Sequence, residues 1–442
     1  MGDISFVERL QALEILDLRG SSFKELPVGI VALRKLKLLD LYRCLIKRNK
    51  DEAYEVVGKC LQLEELYLSL VNYVKDFSHD VSFSRLQRYV IINNDIYDVF
   101  ENTEVMKTYA QSRSLLIDKF DVAAQHFKSS PIKDLFIRAE FLHLGNLQGD
   151  YKNIIPSMDP QGMNQLTALT LQHCEKIDCL IDTSSVDFLQ TEVVFSKLIY
   201  LRLESLCSLQ EVFCDPSSRC SLKNLGELLI KDCSKLNSIP FPRKSKLCNL
   251  KVLSISECPL LTSLLVQSIV QSLVLLEELK IRSCSALRHI IEEVEEGNDV
   301  LTLPKLRFLS IEKCDNLEYI FSAFLAEGLT SLGNLTIFDN LKLKYVFGNE
   351  KEHNLAVYPS VQQTDTRNLN TLKLMKLPNV IDIWPEYCRP CLPNLQFLYC
   401  IDCPKLLDSS IFKMVTVSNL QQETTSKVIY YLKIMISLIK HN

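Results

Sequence analysis

The chain has 442 residues, with 50 Lys+Arg against 54 Asp+Glu and a formal net charge of −4, a balance that excludes a nucleic-acid binder working by bulk attraction to phosphates. At 47% hydrophobic and 24% charged residues it has the composition of a folded protein and lies far from the disordered corner. Its 12 glycines leave little material for loops that cradle phosphate groups, because usual glycine usage is about 7%.

Asp3 and Glu8 stand where a secretory signal needs a basic start and an unbroken apolar core, so no signal peptide is expected. Gly2 lacks the Ser or Thr at position 6 that a myristoylation motif requires, since Phe6 is there. No apolar run approaches the ~18 residues of a membrane span; the longest, Val428 to Ile439, is broken by Lys433.

Elements taken in chain order show repetition from the start. Leu13-Leu16-Leu18-Ser21-Phe23-Leu26-Pro27 is followed by Leu36-Leu39-Leu41-Cys44-Ile46, Leu63-Leu66-Leu68 and Leu86-Tyr89-Ile91. Between about residues 100 and 160 the pattern weakens to Leu115-x-Ile117 and Ile132-Lys-Asp-Leu135-Phe-Ile137. Looser copies then begin at Leu166 and Leu198. Four regular ones follow: Leu225-Leu228-Ile230-Cys233-Leu236-Ile239, Leu250-Leu253-Ile255-Cys258-Leu261-Leu264, Leu276-Leu279-Ile281-Cys284-Leu287-Ile290 and Leu306-Leu309-Ile311-Cys314-Leu317-Ile320. Further copies begin at Leu332, Leu369 and Leu395. Start-to-start spacings from Leu166 are 32, 27, 25, 26, 30, 26, 37 and 26 residues, which defines a leucine-rich repeat with three insertions.

In each L-x-L or L-x-I the two apolar residues alternate with residues expected to be exposed, the period of a strand. One unit cannot bury its leucines alone, so neighbours must stack. The predicted fold class is α/β: a leucine-rich-repeat solenoid, or horseshoe, with a parallel β-sheet on the concave face and irregular or short helical segments on the convex face. About fifteen repeats over residues 6–408 form the expected array, irregular between 100 and 160, with 409–442 as a C-terminal tail or cap.

Of 16 cysteines, Cys44, Cys174, Cys233, Cys258, Cys284, Cys314 and Cys403 fall at the step where the chain turns out of the strand. They read as small buried apolar groups in a ladder, a use of cysteine that needs no disulfide and fits a reducing compartment. Cys388-x-x-Cys391 followed by Cys400-x-x-Cys403 has the form of a zinc site, but Cys400 and Cys403 are already claimed by the repeat register, so no metal is expected.

The segment Leu13 to Pro27, the four C-x-x-L-x-x-I/L units, the acidic insertion Ile290 to Asp299 and the segment Leu377 to Glu386 together resemble the leucine-rich-repeat region of plant intracellular immune receptors, the coiled-coil, nucleotide-binding, leucine-rich-repeat disease resistance proteins. The resemblance covers roughly residues 6 to 408 and does not extend to the coiled-coil and nucleotide-binding domains of that class. It implies a cytoplasmic, non-catalytic module for defense that recognises a protein partner: a pathogen effector, a modified host protein or the family's own nucleotide-binding domain. The repeat domain of a ubiquitin-ligase substrate receptor is the alternative of similar architecture.

No cofactor is expected. The nearest thing to a phosphate-binding loop, Ala53 to Cys60, has Gly58-Lys59 but lacks the first glycine and the magnesium-binding Ser or Thr. The seven histidines are scattered, and neither H-E-x-x-H nor G-x-S-x-G occurs, so no catalytic residue is assigned. Glu292, Glu293, Glu295, Glu296 and Asp299 lack the ligand alternation of a calcium loop and read as a solvated insertion.

The informative residues are those between the strand leucines, which line the binding surface of repeat proteins. Lys280 and Arg282 belong to a mixed-charge stripe, whereas Phe338, Met375, Phe397 and Tyr399, with Lys373 and Lys376, form an apolar set with a basic edge. These eight residues are the expected partner-binding site.

Overall fold

The computed structural model describes residues 2–46, 50–70, 83–93, 113–119, 131–149, 151–182, 194–213, 222–239, 241, 246–292, 301–322, 325, 328–348, 362–364, 368–383, 388–390 and 394–408. The acidic residues from Glu293 to Asp299, Cys391, the side chain of Cys388 and the tail 409–442 lie outside them. The chain divides into two compact units, Met1–Cys207 with Arg219–Ser221, and Ser208–Ser218 with Leu222–Asn442.

The first unit carries β1 (Ile15–Asp17), β2 (Ser22–Phe23), β3 (Leu38–Leu41), β4 (Leu45–Ile46), β5 (Glu65–Leu70), β6 (Arg88–Asn93), β7 (Arg113–Asp118), β8 (Phe141–Gly145), β9 (Ala168–Gln172) and β10 (Tyr200–Glu204). β2 and β4 pair with each other; the rest lie side by side in chain order as a parallel sheet. The second unit carries β11 (Glu227–Lys231), β12 (Val252–Ser256), β13 (Ser263–Val266), β14 (Glu278–Arg282), β15 (His289–Glu292), β16 (Phe308–Glu312), β17 (Asn334–Phe338), β18 (Gln362–Thr364), β19 (Thr371–Met375), β20 (Cys388–Pro390) and β21 (Phe397–Ile401). Here β11, β12, β14, β16, β17, β19 and β21 form the parallel sheet, while β13 pairs with β15 and β18 with β20. Among the described residues no helix is long and apolar enough to cross a membrane.

Identical register from strand to strand turns the sequence repeat into a core. Leu228, Leu253, Leu279, Leu309, Leu335, Leu372 and Leu398 are successive register partners. Each is buried, as are the inward Ile230, Ile255, Ile281, Ile311, Ile337 and Leu374 two residues further on. Leu225, Leu250, Leu276, Leu306, Leu332 and Leu369 close the core from the segment before each strand. Burial of one such side chain stabilises by roughly 1.5–3 kcal/mol, and that burial needs the neighbouring repeat.

The residue after each strand turns the chain out of the sheet in a left-handed conformation. Asp232, Glu257, Ser283, Lys313, Asp339, Lys376 and Asp402 all have φ between 53° and 57°, with Arg43, Lys119, Asn146, His173 and Ser205 at the same step in the first unit. None of these twelve is glycine, so the conformation carries a steric cost. Most of these repeats offset that cost by handing a backbone N–H to the next: Glu257 N donates to Arg282 O at 2.8 Å, Ser283 N to Glu312 O at 2.8 Å, and Lys313 N to Phe338 O at 2.9 Å, while Arg43 N donates to Ser69 Oγ at 2.9 Å. Gly20, with φ 67°, occupies this step after β1 and donates to Tyr42 O at 2.9 Å.

The next residue points inward and is the ladder position. Cys44, Cys174, Cys233, Cys258, Cys284, Cys314 and Cys403 are buried free thiols. The Sγ of Cys258, Cys284 and Cys314 donates to the carbonyl two residues earlier at 3.4 to 3.5 Å. Burial pushes the thiols of Cys44 and Cys174 up to about 11 and that of Cys314 to about 12, which disfavours the thiolate that metal binding or nucleophilic chemistry requires. Asn340 takes one ladder place and is fully buried. Its Oδ1 accepts from Cys314 N at 2.7 Å, and its Nδ2 donates to Ile311 O at 3.2 Å and Phe338 O at 3.1 Å.

One element differs from the sequence reading. Ile132 to Ile137 is not a strand unit; Pro131–Arg138 is a helix that buries Leu135 and Phe136, and the strand of this repeat is β8, built on Leu142-x-Leu144. Pro131 at the first helical position favours a helix start, and short apolar runs do not separate period 2 from period 3.6.

Asn340→Ala is expected to lower stability by about 2–3 kcal/mol, because it strands the buried Cys314 N–H. Asn340→Cys, which reproduces the rung used elsewhere, is expected to cost about half as much; urea unfolding of the two variants checks the order.

Candidate functional site

Because side chains alternate along a strand, the residues between the buried leucines form three columns on the open face of the second unit. The first runs Glu227, Val252, Glu278, Phe308, Asn334, Thr371, Phe397; the second Leu229, Ser254, Lys280, Ser310, Thr336, Lys373, Tyr399; the third Lys231, Ser256, Arg282, Glu312, Phe338, Met375, Ile401. All eight residues predicted to bind a partner lie in these columns except Lys376, which sits at the left-handed step after β19.

Their chemistry divides them. Lys280 pairs with Glu278 in its own strand, and Arg282 Nε lies 3.8 Å from Glu312 Oε2 on the next, so both upstream cations already have carboxylates. On β17, β19 and β21 the cations lie over aromatic rings instead. Lys373 Nζ is 5.5 Å from the centre of the Tyr399 ring, and Lys376 Nζ is 5.4 Å from that of Phe338. Met375 lies between Phe338 and Ile401 in the third column, and Phe397 ends the first column at 36% exposure. Phe338, Lys373, Met375 and Tyr399 are half-buried and Lys376 is exposed, so six predicted residues converge on three adjacent strands. Lys280 and Arg282, on β14, stand apart from them. Phe308, 48% exposed at the head of β16, is not among the expected site residues; strand alternation from the buried Leu309 places it outward.

The first unit presents a different face. On β7, β8 and β9 the positions that alternate with the inward leucines are buried as well: Ser114, Leu116, Phe141, His143, Ala168 and Thr170. Strict alternation therefore overstates the open surface here, and the unbroken run Leu115-Leu116-Ile117 carries the signal of a strand covered on both sides. Desolvation pushes the His143 imidazole down to about 3, with the Arg202 guanidinium adding to the shift; Arg202 itself pairs with Glu204 at 2.6 Å.

Residues weighed for other chemistry take structural places. Ala53, Val56 and Val57 lie within the helix Lys50–Gly58 and point into the core, with Cys60 buried just beyond it. Cys403 holds its ladder place, and Cys400 is half-buried on β21. Among the described residues no group of three or more His, Cys, Asp or Glu side chains is placed to hold a metal ion.

Residues 114–245 and 295–426, more than half of the chain, match the family described as plant disease resistance protein RPS2-like, leucine-rich repeats. The chain belongs to this family. Among solved structures, the leucine-rich-repeat protein LIC12759 of Leptospira interrogans matches at 18% identity, over 95% of this chain and 97% of that one, with a TM-score of 0.32. None of the curated proteins searched matches the chain. Membership of the disease resistance repeat family makes this a protein-interaction module, and its second matched segment contains every residue of the aromatic and lysine cluster.

The buried imidazole fixes a pH dependence. An unfolded His143 takes up a proton near pH 6.5, whereas the folded one stays neutral down to about pH 3, so stability falls as pH drops below 6.5. The loss attributable to this residue at pH 5 is about 2 kcal/mol. His143→Gln is expected to remove that part of the slope between pH 7 and pH 5 in denaturant titrations; an unchanged slope contradicts the assignment.

Proposed function

We propose that this chain is the non-catalytic recognition module of a plant disease resistance protein, acting in the cytoplasm in defense by sensing a pathogen protein or a modified host protein, or by contacting the nucleotide-binding domain of its own class. Residues 6–408 serve as the repeat array in this reading. The observation that carries it is the convergence of Phe338, Met375, Phe397 and Tyr399 with two lysines on the open face of three adjacent strands.

Family membership supports the class, and the surface supports the location. Aromatic side chains and methionine are enriched at the centres of protein interfaces, and residues fixed by strand register reach a partner without first being ordered. Truncation of such an anchor costs about 2 kcal/mol or more when it is buried in the complex, whereas rim charges contribute little.

For a partner isolated by pull-down, Phe397→Ala and Tyr399→Ala are each expected to weaken binding by about tenfold or more. The circular dichroism of both variants should stay unchanged, since neither side chain is in the core. Replacement of Glu293 and Glu295 should alter mainly the salt dependence. Loss of binding on changing the glutamates, with both aromatic variants intact, places the site on another surface.

A further inference from the structure

The cations of the second unit differ in what neutralises them. Lys280 and Arg282 have carboxylates within ion-pair reach, but Lys373 has none among the described residues. Its register partners are Thr336 and Tyr399, and its ammonium rests over the Tyr399 ring. A ring quadrupole attracts a cation without cancelling its charge, so the ammonium keeps its donors while losing the freedom it would otherwise surrender on binding. Lys376 repeats the arrangement over Phe338; Asp339 and Asp402 occupy the equivalent turn on either side and make no ion pair with it.

Thr371 lies two residues before Lys373 on β19 and Thr336 opposite it on β17, while its other outward neighbours on β19 and β21 are apolar or aromatic. Met375 lies two residues beyond it on β19, and Phe397 and Ile401 flank Tyr399 on β21. Side chains two apart on a strand are separated by about 6.8 Å. An extended peptide has the same spacing on one of its faces, so a peptide lying along β19 and β21 sets alternate side chains opposite the Thr371–Phe397, Lys373–Tyr399 and Met375–Ile401 rows in turn.

We propose that this face receives an extended acidic peptide segment, in which an Asp or Glu carboxylate seats on Lys373 and an apolar side chain two residues to either side packs against Phe397 and against Met375 with Phe338. This rests on the reading that the face is the recognition surface, and adds the chemistry of what it recognises. The complementary charge is the deciding argument: a basic or neutral segment leaves Lys373 without a counter-charge and desolvates it, whereas a carboxylate forms a charge-assisted hydrogen bond.

The test is selection of a phage-displayed random 12-residue peptide library on the immobilised full chain, with Lys373→Gln, Lys373→Arg and Phe397→Ala variants in parallel and fluorescence anisotropy of the enriched peptides. The expected consensus is apolar-x-acidic-x-apolar. Replacing its acidic residue by the amide should weaken binding at least fivefold on the parent chain and hardly at all on Lys373→Gln, while Lys373→Arg retains affinity. Enriched peptides that are neutral or basic, or that bind Lys373→Gln as well as the parent, overturn the inference. If those same peptides are lost on Phe397→Ala, the face remains the recognition surface and only its preference is refuted; indifference to every variant, or no enrichment at all, refutes both.

Discussion

Strand register governs this structure. The leucines of one repeat cannot be buried by that repeat alone, and they become a core only when the next strand pairs in parallel with the same residue opposite. Backbone hydrogen bonds from the left-handed turns fasten that pairing at one end, and the ladder of thiols and Asn340 sits directly beneath them. A slip of one residue sends every leucine to solvent and every polar column residue to the core, so register is strongly specified.

Function follows from the same constraint. Register assembles residues far apart in sequence into one surface, which is how Lys373 comes to lie against Tyr399, and Lys376, next to the register partner of Phe338, against the Phe338 ring. It also explains why the upstream part of the open face is self-neutralised: Arg282 and Glu312 are register partners, so opposite charges on adjacent repeats meet. The β17, β19 and β21 face lacks that cancellation at Lys373, and it is there that rings and a methionine accompany the charge.

Much of this was legible in the sequence, for definite reasons. Leu-x-Ile at regular spacing identifies strand, inward face and neighbour at once, and the cysteine step marks the turn, so the residues of the second unit could be sorted into inward and outward columns. The helix at Pro131–Arg138 was misread because Leu135-Phe136-Ile137 satisfies two periodicities. The left-handed row was hard to read, since Lys, Glu, Ser and Arg there carry none of the usual glycine signal, and the hydrogen bonds to the next repeat that accompany the conformation are tertiary. Ion pairing was equally hidden, because which lysines retain an unneutralised charge depends on rotamers that no periodicity encodes.

The claim that repeats are interchangeable through register is tested most directly by excising one of them and following amide hydrogen exchange. Deletion of residues 252–277 joins Lys251 to Glu278, the register partner of the lost Val252, and so removes one complete turn in phase. Deletion of 252–278 removes one residue more and puts Leu279 where Val252 stood. The account predicts that the in-phase deletion keeps slow exchange in β16, β17, β19 and β21 while the longer one loses it. Equal loss of protection in both, or equal retention, contradicts it.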